Sequence, residues 1–190
     1  ILMDKAKHTM AKTSSDSSRG MQSLVLAALF AGLTAICSWI NIPLFFTPVP
    51  VNLALIGPYL AGLMLGTKYG SLSQLIYVLL GCLGVPVFAG FTGGAGVIAG
   101  PTGGFIIGYV VCAAICGLNM RKNGFKHKIM LMIFGLSACY SLGLIWFIFV
   151  TGSSLWAGLI SCVIPFLPGD AIKITAAALL SKQLSKAVKI

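Results

Sequence analysis

Pro165-Phe166-Leu167-Pro168-Gly169-Asp170-Ala171-Ile172-Lys173 carries the only acidic residue between Met21 and Leu180. Asp170 follows a Pro-Gly break and opens an apolar run. Lys173 comes three residues later, the spacing that puts two side chains on one face of a helix. An ionisable residue at the centre of a membrane helix costs about 2.5–3.5 kcal/mol on insertion scales, so a pair retained there points to function.

The surroundings decide that the cost applies. Of 190 residues, 58% are hydrophobic and 8% charged, with a mean hydropathy of +1.00. A soluble domain is about 25% charged, and no soluble fold of this length hides so much apolar side chain. At about 20 residues per span, the length accommodates roughly five or six membrane helices. A membrane β-barrel needs alternating apolar and polar residues, whereas Met130–Phe134 and Leu142–Val150 are apolar on every face. The fold expected is an all-α integral membrane protein. Residues 1–20 read as a polar tail, part of it foreign to the natural chain because it opens on Ile1, and residues 21–190 as a single six-helix domain.

The spans expected are 24–40, 51–65, 71–83, 105–118, 129–150 and 170–181, with 155–167 as a short cap or re-entrant helix. Ala27, Ala31 and Ala35 put a small residue at every fourth position of the first span, which permits close helix approach, either to a partner or within the bundle. The 41–50 loop is proline-rich, and the 84–104 loop is glycine-rich. Val85, Val87, Phe88, Phe91, Val97 and Ile98 make the latter too apolar for a solvated linker, so it reads as a folded, ligand-facing loop.

The formal net charge is +10, yet the basic residues sit at the chain ends and in short loops, with no aromatic-interleaved groove. This excludes nucleic acid as a partner and points to topology and anionic lipid headgroups. Basic and uncharged loops alternate: the tail, 66–70, 119–128 and the C-terminus carry Lys or Arg, whereas 41–50, 84–104 and 151–168 carry none. The positive-inside rule then predicts cytoplasmic N- and C-termini, with the pocket extracellular. Cys37, Cys82, Cys112, Cys116, Cys139 and Cys162 lie in apolar surroundings without CxxC spacing and read as small hydrophobes, not as a metal site. His127, between lysines, reads as a solvated loop residue.

A carboxylate accepts hydrogen bonds and an ammonium donates them, so Asp170 and Lys173 suit a ligand whose N–H donors flank a carbonyl, such as a urea. Asn52, Thr92 and Thr102 add neutral hydrogen bonds; Phe45, Phe46, Phe88 and Phe91 cover an apolar part; loop amides at Gly90–Gly104 face an anionic tail. The candidate ligand set is Asp170, Lys173, Asn52, Phe46, Phe88, Thr92, Thr102, Gly103 and Tyr140.

PVPVNL (48–53), GVPVFAG (84–90), GPTGG (100–104) and PFLPGDAIK (165–173) together resemble the BioY family over about Gln22–Lys182. The resemblance implies the biotin-binding S component of an energy-coupling factor (ECF) transporter in a bacterial plasma membrane. Biotin is then the transported ligand and no cofactor is required. The partners implied are a transmembrane coupling subunit (T component) and two cytoplasmic ATPases, with Ala27, Ala31 and Ala35 similar to the surface that meets the coupling subunit. Two positions differ from the family pattern: Ala54 and Leu55 follow Asn52 where a polar residue, often glutamine, is usual, and Phe91 stands where glycine is common.

Two other classes compete. A secondary transporter would use Asp170 as its ion-coupling carboxylate, but no internal repeat is visible. An intramembrane enzyme lacks a nucleophile–base pair or metal cluster within the spans. No phosphate-binding G-x-x-x-x-G-K-[ST] loop is present, so ATP hydrolysis falls to other chains.

Overall fold

The computed structural model describes residues 2–45, 47–118 and 124–187, with side chains for 20–45, 47–118 and 124–184. Helix α1 (Leu2–Trp39) leads into a two-stranded antiparallel ribbon, β1 (Asn41–Ile42) and β2 (Val51–Asn52). Then follow α2 (Ile56–Cys82), α3 (Ala95–Ala99), α4 (Gly103–Cys116), α5 (Phe125–Thr151), α6 (Leu155–Cys162) and α7 (Leu167–Ala187). The ribbon is the departure from the expected all-α chain; it pins the ends of the proline-rich loop by pairing Asn41 with Asn52.

Among the described residues, three stretches are long and apolar enough to cross a membrane: Gly20–Trp39, Phe125–Thr151 and Leu155–Leu184. The expected second and third spans are the two legs of α2. Gly66 separates them with φ 77° and ψ −179°, a conformation essentially reserved for glycine. The chain doubles back there: a Cβ on Gly70 would sit 2.9 Å from the Cα of Gly62, which an unbroken helix would hold about 12 Å away. Helix α4 has 14 residues, about 21 Å of rise.

Small residues let these short helices pack closely. A Cβ on Gly62 would lie 2.7 Å from Cys116 Cβ, so α2 and α4 approach backbone to backbone. Helix α4 also lies on α5, while α7 packs against both α2 and α5. Across α1 and α2, the Thr34 hydroxyl donates to the Phe30 carbonyl (2.8 Å) and accepts from Gln74 Nε2 (3.1 Å), which satisfies polar groups where lipid and apolar protein offer none.

Ala27, Ala31 and Ala35 are 0%, 3% and 5% exposed, within clusters that include Met64, Leu63 and Tyr59 of α2. The stripe therefore serves the close approach of α1 to the chain's own α2, correcting its expected role as a partner surface. Ala28 and Gly32 lie on the exposed face of α1 instead. Four of the six cysteines are buried and all are free. His127 is half-buried in the first turn of α5, not a solvated loop residue, and its buried Nε2 has no hydrogen-bond partner among the described residues.

Candidate ligand-binding site

Helix α7 starts at Leu167, three residues before the expected start, so Pro168 and Gly169 lie inside its first turn. Proline is tolerated there because first-turn amides lack intrahelical partners. The earlier start leaves Asp170 still in the first turn, where the helix dipole favours an anion. Lys173 Nζ donates to Asp170 Oδ1 at 2.7 Å, and the Tyr140 hydroxyl of α5 donates to Asp170 Oδ2. Asp170 is 1% and Lys173 5% exposed.

The pair borders a cavity of about 240 Å³ into which the three uncharged loops converge. Pro48, Val49 and Pro50 come from the first, with Asn52 of β2 just beyond it, Phe88, Ala89, Thr92, Val97 and Thr102 from the second, and Cys162 and Phe166 from the third. Of the candidate set, Asp170, Lys173, Asn52, Phe88, Thr92, Thr102 and Tyr140 all line this cavity. Gly103 is not among the lining residues; it is buried as the first residue of α4, beneath the Ile98 carbonyl. Phe46 lies outside the described residues. Phe45 is 100% exposed and Phe91 63%, and neither lines the cavity.

The glycine-rich loop is folded. Ser38 Oγ donates to the Val87 carbonyl (2.6 Å), Trp39 Nε1 to the Pro86 carbonyl (2.9 Å) and Trp146 Nε1 to the Gly100 carbonyl (3.0 Å). A short 3₁₀ turn at Ala89–Phe91 closes with Phe88 N–H donating to the Thr92 carbonyl at 3.0 Å. Phe91 holds φ +57°, a left-handed conformation that glycine adopts freely, and its ring stacks on Trp39 at 4.9 Å. A glycine, the residue the resemblance implies here, would hold that conformation without strain.

Asn52 Oδ1 accepts from the Ala54 amide at 3.0 Å, which fixes the side chain and leaves its Nδ2 donors and a second Oδ1 lone pair for a ligand. Ala54 is wholly buried and Leu55 lines the cavity, so this wall is apolar. Sequence reasoning missed Tyr77, Tyr109, Phe105, Cys139 and Cys162 in the lining. Phe105 and Tyr109 share an i, i+4 face of α4, a signal that an all-apolar helix obscures because every face reads alike. Phe88 meets Tyr77 edge-on at 5.4 Å, so the floor of this side is aromatic.

Comparison with known proteins matches residues 6–190 to the BioY family model. The chain belongs to the BioY family. It is 39% identical over 167 residues to the biotin transporter BioY of Thermotoga maritima, covering 87% of this chain and 97% of that one. Identity to the biotin transporter BioY of Rhizobium etli is 33% over 172 residues, 85% and 91% of the two chains. Among solved structures, the S component for biotin from an ECF-type ABC transporter superposes with a TM-score of 0.82 at 29% identity, covering 89% of this BioY-family chain and 93% of that one. As a BioY-family member with three membrane-length apolar stretches, it is a membrane protein.

Proposed function

We propose that this chain is the substrate-capturing subunit of an ATP-driven ECF-type importer and takes up biotin at the outer face of a bacterial plasma membrane. One observation carries the reading: the buried Asp170–Lys173 pair at the cavity wall, with hydrogen-bonding capacity to spare. A carboxylate offers about four acceptor positions and an ammonium three donors. Lys173 and Tyr140 use two of the acceptor positions, and Asp170 one of the donors. What remains is an acceptor beside a donor, complementary to the N–H and C=O of a ureido ring. The relatives' shared role in biotin transport supports the same ligand.

Six crossings, with both legs of α2 and α4 as the short ones, fit the alternating loop charges. The end opposite the cavity gathers Lys68, Lys128 and Lys182 near the turn of α2, the start of α5 and the end of α7. By the positive-inside rule that end is cytoplasmic and the cavity opens outward. There the chain would meet a T component and two ATPases.

Isothermal titration of the detergent-purified chain with biotin tests this, the expected result being one site per chain without ATP or partners. No heat with biotin, but heat with another vitamin, overturns the substrate. Uptake by cells lacking the T component and ATPases would replace the importer reading with an ion-coupled transporter.

A further inference from the structure

We propose that Tyr140, on the cavity wall, is a positioning residue whose hydroxyl fixes the plane of the Asp170 carboxylate for the ligand and donates no hydrogen bond to the ligand itself; this rests on the proposed ureido-type ligand. Lys173 holds only Oδ1. The final torsion of an aspartate is broad and nearly two-fold, so one anchor leaves Oδ2 free to swing. Tyr140 supplies the second anchor from a different helix, thirty residues away in sequence. A phenol has a single O–H to donate, and here it is spent on Oδ2, so it cannot also donate to a ligand. The tyrosine ring is held in turn: Phe105 of α4 meets it edge-on at 6.3 Å and 84°. Helices α4, α5 and α7 are thereby linked through Phe105, Tyr140 and Asp170, and the carboxylate presents its remaining acceptor positions in one orientation. Pre-organisation of this kind raises affinity by removing the ordering cost from the binding step.

A double-mutant cycle on biotin affinity, using the full chain in detergent, tests the assignment. Tyr140→Phe removes one hydroxyl and keeps the ring; it should weaken binding about tenfold to a hundredfold, the range for a hydrogen bond to a charged group. Asp170→Asn should weaken it at least as much, and the double variant should bind no worse than Asp170→Asn alone, because Tyr140 acts through Asp170. Multiplicative losses would mean that the Tyr140 hydroxyl acts on the ligand directly, and wild-type affinity in Tyr140→Phe would mean that it does nothing; either overturns the proposal. Infrared spectroscopy of the ligand-free protein gives an independent readout. The Asp170 carboxylate band, assigned by its absence in Asp170→Asn, should shift in Tyr140→Phe. If the wild type does not bind biotin, the substrate reading fails and the band alone decides: a shift supports the positioning role and an unmoved band overturns it. Should the phenylalanine variant not fold, difluorotyrosine at position 140 keeps the ring and strengthens the donor, and the Asp170 carboxylate band should shift in it; an unmoved band overturns the proposal.

Discussion

Lys173 Nζ lies 2.7 Å from Asp170 Oδ1 with both side chains almost wholly buried, 6% and 2% exposed. Such a pair cannot be treated as a surface ion pair worth a few tenths of a kcal/mol. Removing one partner leaves a charge stranded in apolar protein, at a cost of about 3–5 kcal/mol. Asp170→Asn and Lys173→Ala should therefore each lower the melting temperature and also weaken biotin binding by at least about 1.5–3 kcal/mol. Asp170→Asn combined with Lys173→Met should recover most of the stability and none of the affinity. Thermal unfolding and titration on the same samples check it; recovery of binding in the double variant would show that the pair serves only to seat the helix.

This site was legible in the sequence because charge is scarce: Asp170 stands out where nothing else is acidic. The loops that reach it were legible too, since they lack Lys and Arg while the others carry them. Tyr77, Tyr109 and Cys139 were not, because in helices apolar on every side no periodicity separates cavity from lipid. The alanine stripe was visible at Ala27, Ala31 and Ala35, but spacing alone cannot say which neighbour fills it, and α2 does. The break between the second and third expected spans is legible at 66–70, but which of its two glycines, Gly66 or Gly70, makes the reversal is not.

Gly66 is the position where that turn depends on glycine. Its φ of 77° with ψ near 180° is closed to other residues at a cost of about 1–3 kcal/mol. Gly66→Ala should destabilise the protein by that amount, whereas Gly84→Ala, at φ 95° with nothing within 4 Å, should pay strain without breaking a helix–helix seam. Thermal unfolding in detergent ranks the two, and a Gly66→Ala protein as stable as wild type would rule out the reversal described here.

Phe91 pays a similar strain for a different return. Its left-handed φ of +57° costs on the order of 1–2 kcal/mol for a residue with a Cβ, offset in part by about 0.5–1.5 kcal/mol from stacking on Trp39. Phe91→Ala loses the stack and keeps the strain; Phe91→Gly loses both. The glycine variant should therefore melt at a higher temperature than the alanine variant although its side chain is smaller. The opposite order would mean that the backbone at 91 is not left-handed.

Orientation can be tested with side chains that stay clear of the site. Phe45, fully exposed at the tip of the proline-rich loop, stands at the cavity end, and Lys126 stands exposed at the start of α5, at the opposite end. With the native cysteines replaced by alanine or serine, Phe45→Cys should react with a membrane-impermeant maleimide on intact cells. Lys126→Cys should react only after permeabilisation. The replacements are mild, because four of the native cysteines are buried as small hydrophobes and none forms a disulfide. The reverse labelling pattern would turn the cavity inward, and outward capture of biotin would then have no physical basis. Reaction of both from outside would show that the short helices α2 and α4 do not complete the crossings on which the six-span reading depends.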